Sequence, residues 1–356
     1  MHFLTTDIDE IVYGLSFDFW LRFGGKHVLI TGGRGFLGRY LTEVFARVND
    51  RILPGGRHVQ VTVMDNLITA GDYGAAQAAH PNIAFIQHDV TNPFEVGERV
   101  DFILHAAGIA SPAYYKKYPI ETYRVATQGL QNVLDLAREA PGCRLAFFSS
   151  SEIYGDPQVV PIPEDYRGNV SCLGPRSPYD ESKRMGEMMV RVHYEQFGIE
   201  GVIIRPFNFY GPGMQKTDYR VLPNFAARLS RGEPLEVYGT GNQTRTFCYV
   251  TDGIRGALQA LVLGKPGEPY NIGNPNPEIS MRDLAIEVAR ITGQAVAYDS
   301  IDYPGTYPAD EPQRRCPDIS KARAHLGYAP QVALEDGLRR FFGWAADAYR
   351  DAPEAA

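Results

Sequence analysis

The chain has 356 residues, 44% hydrophobic and 22% charged, the size and balance of a two-lobed globular protein. Its formal charge of −7 comes with no basic block, which argues against a nucleic-acid surface, and no apolar run approaches the ~20 residues of a membrane span. Cys143, Cys172, Cys248 and Cys316 form no CxxC and have no histidine partner at metal spacing. They read as reduced thiols of a cytoplasmic protein, and no metal is expected.

Residues 1–25 read as an added helix. Thr6 can cap it, Ile8, Ile11, Val12, Leu15 and Phe19 form an apolar stripe, and Gly24-Gly25 ends it. Asp7, Asp9 and Glu10 are wrong for a signal peptide. Strands and helices then alternate. HVLIT (27–31) leads into a glycine-rich turn and a helix from Leu37 to Asn49. Strands follow at 58–65, 83–87 and 100–106, then a long helix from Pro119 to Glu139. RLAFFSS (144–150), a helix from Tyr179 to Phe197 and GVIIRP (201–206) complete the series. Such alternation implies an α/β fold, a doubly wound parallel sheet covered on both faces. From 207 to 350 the segments shorten and Pro/Gly punctuation thickens, with helices expected at 221–230, 252–263, 280–291 and 334–349. This reads as a smaller α/β lobe over the C-terminal edge of the sheet, where open α/β sheets bind ligands. The last six residues should fray.

TGGRGFLG (31–38) follows a strand and opens a helix, placing Gly32, Gly35 and Gly38 at a turn that admits a pyrophosphate to the helix N-terminus. Asp65 ends the next strand, where a carboxylate accepts from an adenosine ribose and repels the extra phosphate of NADP. Its distance from the glycines exceeds the usual ~20 residues because RILPGGR (51–57) is inserted. Asp89 and Val90 follow the third strand and are either adenine contacts or an ordinary strand end. Further on, Tyr179 and Lys183 in YDESK lie four apart on one helix, so phenol and ammonium can share a cleft. A phenol titrating near pH ~10 needs a nearby cation to act as a base at neutrality.

Together, TGGRGFLG, HAAG (105–108), SSSEIYG (149–155), YDESK and RPFNFYGPG (205–213) resemble the extended short-chain dehydrogenase/reductase superfamily of nucleotide-sugar enzymes, from residue 26 to about 345. The resemblance implies a Rossmann-type NAD-binding domain over 26–206 and a mainly nucleotide-sugar-binding lobe over 207–350. It makes Tyr179 the base that oxidises a sugar C4 hydroxyl, Lys183 its tuner and ribose ligand, and Ser150 a hydrogen-bond partner of O4. The cofactor site it implies also includes Phe36, Leu37, Asn66, Ala106 and Ala107. A homodimer through the helices at 119–139 and 179–197 is part of the same expectation.

Residues after Ser150 discriminate within the superfamily. Dehydratases carry Asp-Glu there and simple 4-epimerases small or hydroxyl residues, whereas this chain has Ser151-Glu152. Ser-Glu followed by IYGDP resembles the UDP-glucuronate decarboxylases. So do Ala110-Ser111-Pro112, the loop 164–184, GNQTRTFCYVTD (241–252) and DEPQRRCPDISKA (310–322). On that reading Glu152 handles the C5 proton or orients the ring, with a purely structural role as the competing view. Arg245 and Arg315 match diphosphate-binding arginines, Arg220 a residue near the sugar or its carboxylate, and Asn208, Asn224 and Tyr238 positions near the diphosphate and base. Ser111 and Ser151 complete the substrate set. The chain departs from that subfamily at Gly213, usually Arg, and at Arg167, usually aromatic. Uronate 4-epimerisation, 4,6-dehydration and an NAD(H)-binding regulatory protein are the alternatives.

Overall fold

A computed structural model describes residues 4–70, 80–293, 298–302 and 312–350. Asp310 and Glu311 of the DEPQRR run and the tail 351–356 lie outside the described residues.

The extension is two helices, not one. In α1 (Thr5–Tyr13) no side chain caps the start, and Thr6 lies inside the helix. The chain turns at Gly14, and the Ser16 hydroxyl accepts from Phe19 N at 3.2 Å to open α2 (Phe17–Leu21). A side chain at Gly14 would meet Arg255 at 2.8 Å, so close packing fixes the break. Trp20 is fully buried, and its indole N–H donates to Val12 O at 2.9 Å, tying the two helices together. Phe23 seats its ring 4.6 Å from Phe102 and 5.2 Å from Phe45, joining the extension to the main core.

The first half then runs β1 (His27–Thr31), α3 (Phe36–Arg51), β2 (Gln60–Asp65), β3 (Ile83–Gln87) and β4 (Phe102–His105). It continues through α4 (Pro112–Lys117), α5 (Pro119–Arg124), α6 (Leu130–Glu139), β5 (Arg144–Phe148), α7 (Ser177–Phe197) and β6 (Glu200–Pro206). The long helix expected at 119–139 is interrupted by a π-turn at Val125–Gly129. There Gly129 comes so near the β3 loop that a Cβ would lie 2.9 Å from Val90. Pro178 sits in the first turn of α7, and Gly198, at φ 70°, ends the helix.

The second half is built of β7 (Phe209–Tyr210), α8 (Val221–Ser230), β8 (Leu235–Tyr238), β9 (Thr244–Arg245) and β10 (Cys248–Tyr249). It ends with α9 (Val250–Leu263), β11 (Pro269–Ile272), β12 (Ile279–Ser280), α10 (Met281–Thr292), β13 (Tyr298–Ile301), β14 (Arg314–Arg315), α11 (Ser320–Leu326) and α12 (Leu334–Ala348). Seven strands form one parallel sheet in the order β11-β6-β5-β4-β1-β2-β3. Every residue of β1 and β4 is buried, as both faces of a parallel sheet require. The order reverses between β1 and β4, so the crevice for a ligand opens beyond their C-terminal ends. The sheet's outermost strand, β11, comes from the second half, so the two halves interleave.

Candidate active site

Two cavities meet beyond that edge. The larger, about 450 Å³, runs along the glycine turn, the ends of β2 and β4 and the start of α7. The smaller, about 160 Å³, lies under α8, β8 and β14. Tyr179, Glu152, Asn208 and Arg220 line both.

The larger cavity fits a dinucleotide. Gly32, at φ 69°, lies so close to the loop after β4 that a Cβ would be 2.5 Å from Ala107 Cα. At Gly38 a Cβ would strike Gly32 O. Gly35 precedes α3 without a side-chain cap, leaving the helix's first N–H groups for an anion. Asp65 accepts from Arg34 N at 2.9 Å and Leu67 N at 2.8 Å, and burial raises its pKa despite those bonds. Asn66 donates to Asp89 at 3.0 Å. Phe36, Leu37, Val90, Ala106 and Ala107 complete the wall, so every residue expected at the cofactor lies on this cavity.

At the junction, Ser150 closes β5 and accepts from Glu152 N at 3.1 Å, opening the short turn Ser151–Tyr154. Tyr179, buried one residue inside the Pro178 start of α7, hydrogen-bonds Ser150. Burial pushes the phenol up to about 12; the Ser150 bond and the Arg220 charge oppose this, while Glu152 and Asp180 add to it. Lys183 is buried 5.8 Å from the Tyr179 ring centre, and its amine donates to Phe148 O at 2.6 Å. Burial brings it down to about 8, against the pull of Glu187. The expected phenol–ammonium pair therefore shares a cleft, and the Arg220 charge also acts on the phenol.

Glu152 takes an unexpected set of partners. Arg315 reaches it with both terminal nitrogens, at 2.5 and 2.7 Å, and Arg176 bonds it from the other side. Burial alone would raise its pKa, but Arg176 and Arg315, with Arg245 behind them, hold it at about 2. Arg315, expected on the diphosphate, is thus turned to Glu152. Arg245 is buried, donating to Thr244 O at 2.8 Å and Pro312 O at 2.7 Å, with its side chain still on the smaller cavity. Arg220 is forked onto Asp218 at the cavity junction. Asn208, at φ 45°, donates to Thr246 O at 2.7 Å. Asn224 and Tyr238 line the smaller cavity and Ser151 the larger.

Two residues singled out in the sequence lie off both cavity walls. Ser111 is on neither cavity wall: it precedes α4 with its hydroxyl buried, and Ala110 and Pro112 form the wall instead. Arg167 is exposed and on neither cavity wall, its carbonyl accepting from Arg184. Sequence reasoning also missed two residues. Arg176 lies one turn before Tyr179, and only this i,i+3 spacing marks it. Tyr115, one turn into α4, stacks on Tyr179 with ring centres 5.6 Å apart.

The family model for the NAD dependent epimerase/dehydratase family matches residues 28–273. UDP-glucuronic acid decarboxylase 6 of Arabidopsis thaliana is 42% identical over 312 residues, 87% of this chain and 86% of that one. UDP-glucuronic acid decarboxylase 1 of Xenopus tropicalis is 41% identical over 316 residues, 88% and 71%. Among solved structures, an epimerase from Methanothermobacter thermautotrophicus is 26% identical and superposes at a TM-score of 0.80 over 96% of each chain. A mutant UDP-glucuronic acid 4-epimerase from Bacillus cereus, in complex with UDP-4-deoxy-4-fluoro-glucuronic acid and NAD, is 25% identical with a TM-score of 0.77, covering 91% of this chain and all of the other. The glycine turn, the Tyr179–Lys183 helix and these matches together place the chain in the NAD dependent epimerase/dehydratase family.

Proposed function

We propose that this protein decarboxylates UDP-glucuronate oxidatively, with NAD as cofactor, giving UDP-xylose through a 4-keto intermediate. The observation that carries the reading is the Ser150–Tyr179 pair at the junction of the two cavities, with Glu152 beside it locked as a carboxylate. A dehydratase uses the Asp of its Asp-Glu pair as the acid for the leaving hydroxyl, and this chain has Ser151 at that position, with Glu152 held as a carboxylate beside it. The named relatives at about 40% identity support the same choice.

Gly32, Gly35, Gly38 and Asp65 on the larger cavity would hold NAD, which when bound would accept a hydride from C4 and return it. Tyr179 takes the C4 hydroxyl proton as the phenolate, the form that burial disfavours and that the Ser150 bond and the Arg220 charge favour, while Ser150 holds O4. With C4 a ketone, the uronate is a β-keto acid. The C5–C6 bond breaks, CO₂ leaves, and the electron pair passes to the C4 oxygen as an enolate. Water supplies the one proton the net reaction consumes, at C5, and Tyr179 returns the proton it took to O4 as C4 is reduced. Glu152, without a proton of its own, positions Arg176 and Arg315 against the sugar, and Arg220 faces the anion from the other wall. Arg245 and Asn224 flank the nucleotide end.

A homodimer accompanies this reading. Ile120 and Tyr123 on α5 and Met185 and Met188 on α7 are 43–51% exposed on adjoining helices, an apolar face suited to a second copy. Unpaired thiols, buried at Cys143, Cys248 and Cys316, suit the reducing cytoplasm.

Incubation with UDP-glucuronate and NAD should release CO₂ and a UDP-pentose. UDP-galacturonate without CO₂ would replace this reading with epimerisation. Tyr179→Phe should lower turnover by about 10²–10⁴-fold, the range for a positioned acid–base group, and leave NAD bound.

A further inference from the structure

Lys183 and Glu187 occupy successive turns of α7, and each is fastened to the end of β5. Lys183 Nζ donates to Phe148 O at 2.6 Å, and Glu187 Oε1 accepts from the hydroxyl of the next residue, Ser149, at 2.5 Å. The residue after that is Ser150. Helix positions four apart are thus matched to consecutive strand positions, which fixes Ser150 relative to Tyr179. Glu187 is itself held by Arg205 on β6, through contacts of 2.9 and 2.6 Å. Arg205 also donates to the Tyr154 hydroxyl at 2.7 Å and to Glu164 O at 2.8 Å, gripping the far end of the turn that carries Glu152. One carboxylate therefore ties α7, β5 and β6 together beneath the reacting groups.

The same carboxylate has an electrostatic partner. Lys183 is buried, and burial disfavours its ammonium. The charged and titratable groups around it are Tyr179 and Glu187 on α7, His105 on β4, Arg205 on β6 behind Glu187, and Glu121 and Arg124 on α5 across the cavity. His105 is buried and held neutral, down at about 3, so it adds no charge. Glu187 is the acid that acts on Lys183.

We propose that Glu187 is a positioning residue for the reaction: it staples the catalytic helix to the end of β5 and supplies the negative charge that keeps Lys183 an ammonium. The inference rests on the roles assigned above to Tyr179, Lys183 and Ser150.

The test follows the titration of Lys183 by NMR of ¹³Cε-labelled lysine in the full chain with NAD bound, assigned with Lys183→Arg, alongside the pH profile of kcat. In Glu187→Gln the Lys183 midpoint should fall by about one unit, the lower end of a neighbouring-charge effect, and the alkaline limb of kcat should move with it. Glu187→Asp keeps the charge and should hold the midpoint near the parent value even where kcat falls. Ser149→Ala removes the staple but not the charge, so it should lower kcat without moving the midpoint. An unmoved midpoint in Glu187→Gln, or an equal shift in Ser149→Ala, overturns the proposal. If Glu187→Gln does not fold, the pair Glu187→Asp and Ser149→Ala decides: a shifted midpoint in either counts against it. A parent enzyme that releases no CO₂ sinks the proposed reaction instead, and the Lys183 midpoints still report on Glu187.

Discussion

Asp7 in the N-terminal extension and Glu152 in the cleft are both carboxylates withdrawn from water and faced by arginine, yet they shift in opposite directions. Asp7 accepts from Tyr249 at 2.8 Å and Arg340 at 3.3 Å, with the Tyr40 hydroxyl 3.4 Å away, and burial raises it to about 6 in spite of them. Burial also acts to raise Glu152, whose side chain is 20% exposed, and it is nevertheless held at about 2. The difference lies in the cations. Arg340 is one-third exposed and closer to Glu10, at 2.6 Å, than to Asp7. Arg315 and Arg176 are almost wholly buried and both bond Glu152. Phenol hydrogen bonds and a shared, wet arginine do not offset desolvation; two dry guanidinium groups do.

The sharpest way to break this contrast is to take a cation from Glu152. Arg315→Ala leaves Arg176 as its direct ion pair. Breaking a buried pair costs about 3–5 kcal/mol, to be read from urea unfolding. The Glu152 pKa should rise, and CO₂ release should fall more than NAD affinity. A lowered NAD affinity with normal CO₂ release would mean the Glu152 cluster serves the fold alone. On the Asp7 side, Trp20→Ala removes the fully buried indole that holds α2 against α1 and should cost about 3–5 kcal/mol. Loss of less than about 1 kcal/mol would show that the extension is not part of the core, since surface changes stay within about 0.5 kcal/mol.

Legibility in the sequence follows the same divide. The glycine turn, Asp65, and the Tyr179–Lys183 pair are local patterns whose spacing fixes their geometry, and all lie on the cavities where expected. Most helices of the second half also begin and end within two residues of the expected bounds. What was not legible depends on partners far apart in the chain. Arg315 meets Glu152 across 163 positions, and Tyr249 meets Asp7 across 242. No periodicity encodes such contacts. The break at Gly14–Ser16 was hidden because the apolar stripe continues through it, while the reason for the break, Arg255, comes from α9.

A pH titration sharpens the comparison with a smaller effect. The folded pKa of Asp7 lies above its unfolded value of 3.8, so the native state binds the extra proton between about 4 and 6. Its share of stability is therefore gained as pH falls through 6, and lost as pH rises. Two units correspond to on the order of 3 kcal/mol. Asp7→Asn should remove this gain, so the parent should gain on the variant between pH 7 and pH 4. Glu152 has the opposite sign. Its folded pKa is depressed, so its share is present above the unfolded value of 4.5 and lost as pH falls toward 2. Glu152→Gln should flatten that acid limb and leave the window between 4 and 6 as in the parent.

The smallest effect expected is at Tyr40. Its phenol has one hydrogen and two acceptors in reach, Pro212 O at 3.0 Å and Asp7 at 3.4 Å. Tyr40→Phe removes one donation, worth about 1 kcal/mol. If the hydrogen serves Asp7, its loss raises the Asp7 pKa further and the pH window above 4 widens. If it serves Pro212, the Asp7 titration is unchanged and the effect falls on the loop that Arg39 also holds, through Gly213 O at 2.7 Å. Met214, next in that loop, lines the smaller cavity, so KM for the nucleotide sugar should then rise while NAD affinity holds. The shorter distance favours Pro212, and with it a link from the cofactor helix α3 to the sugar pocket that bypasses the Asp7 carboxylate.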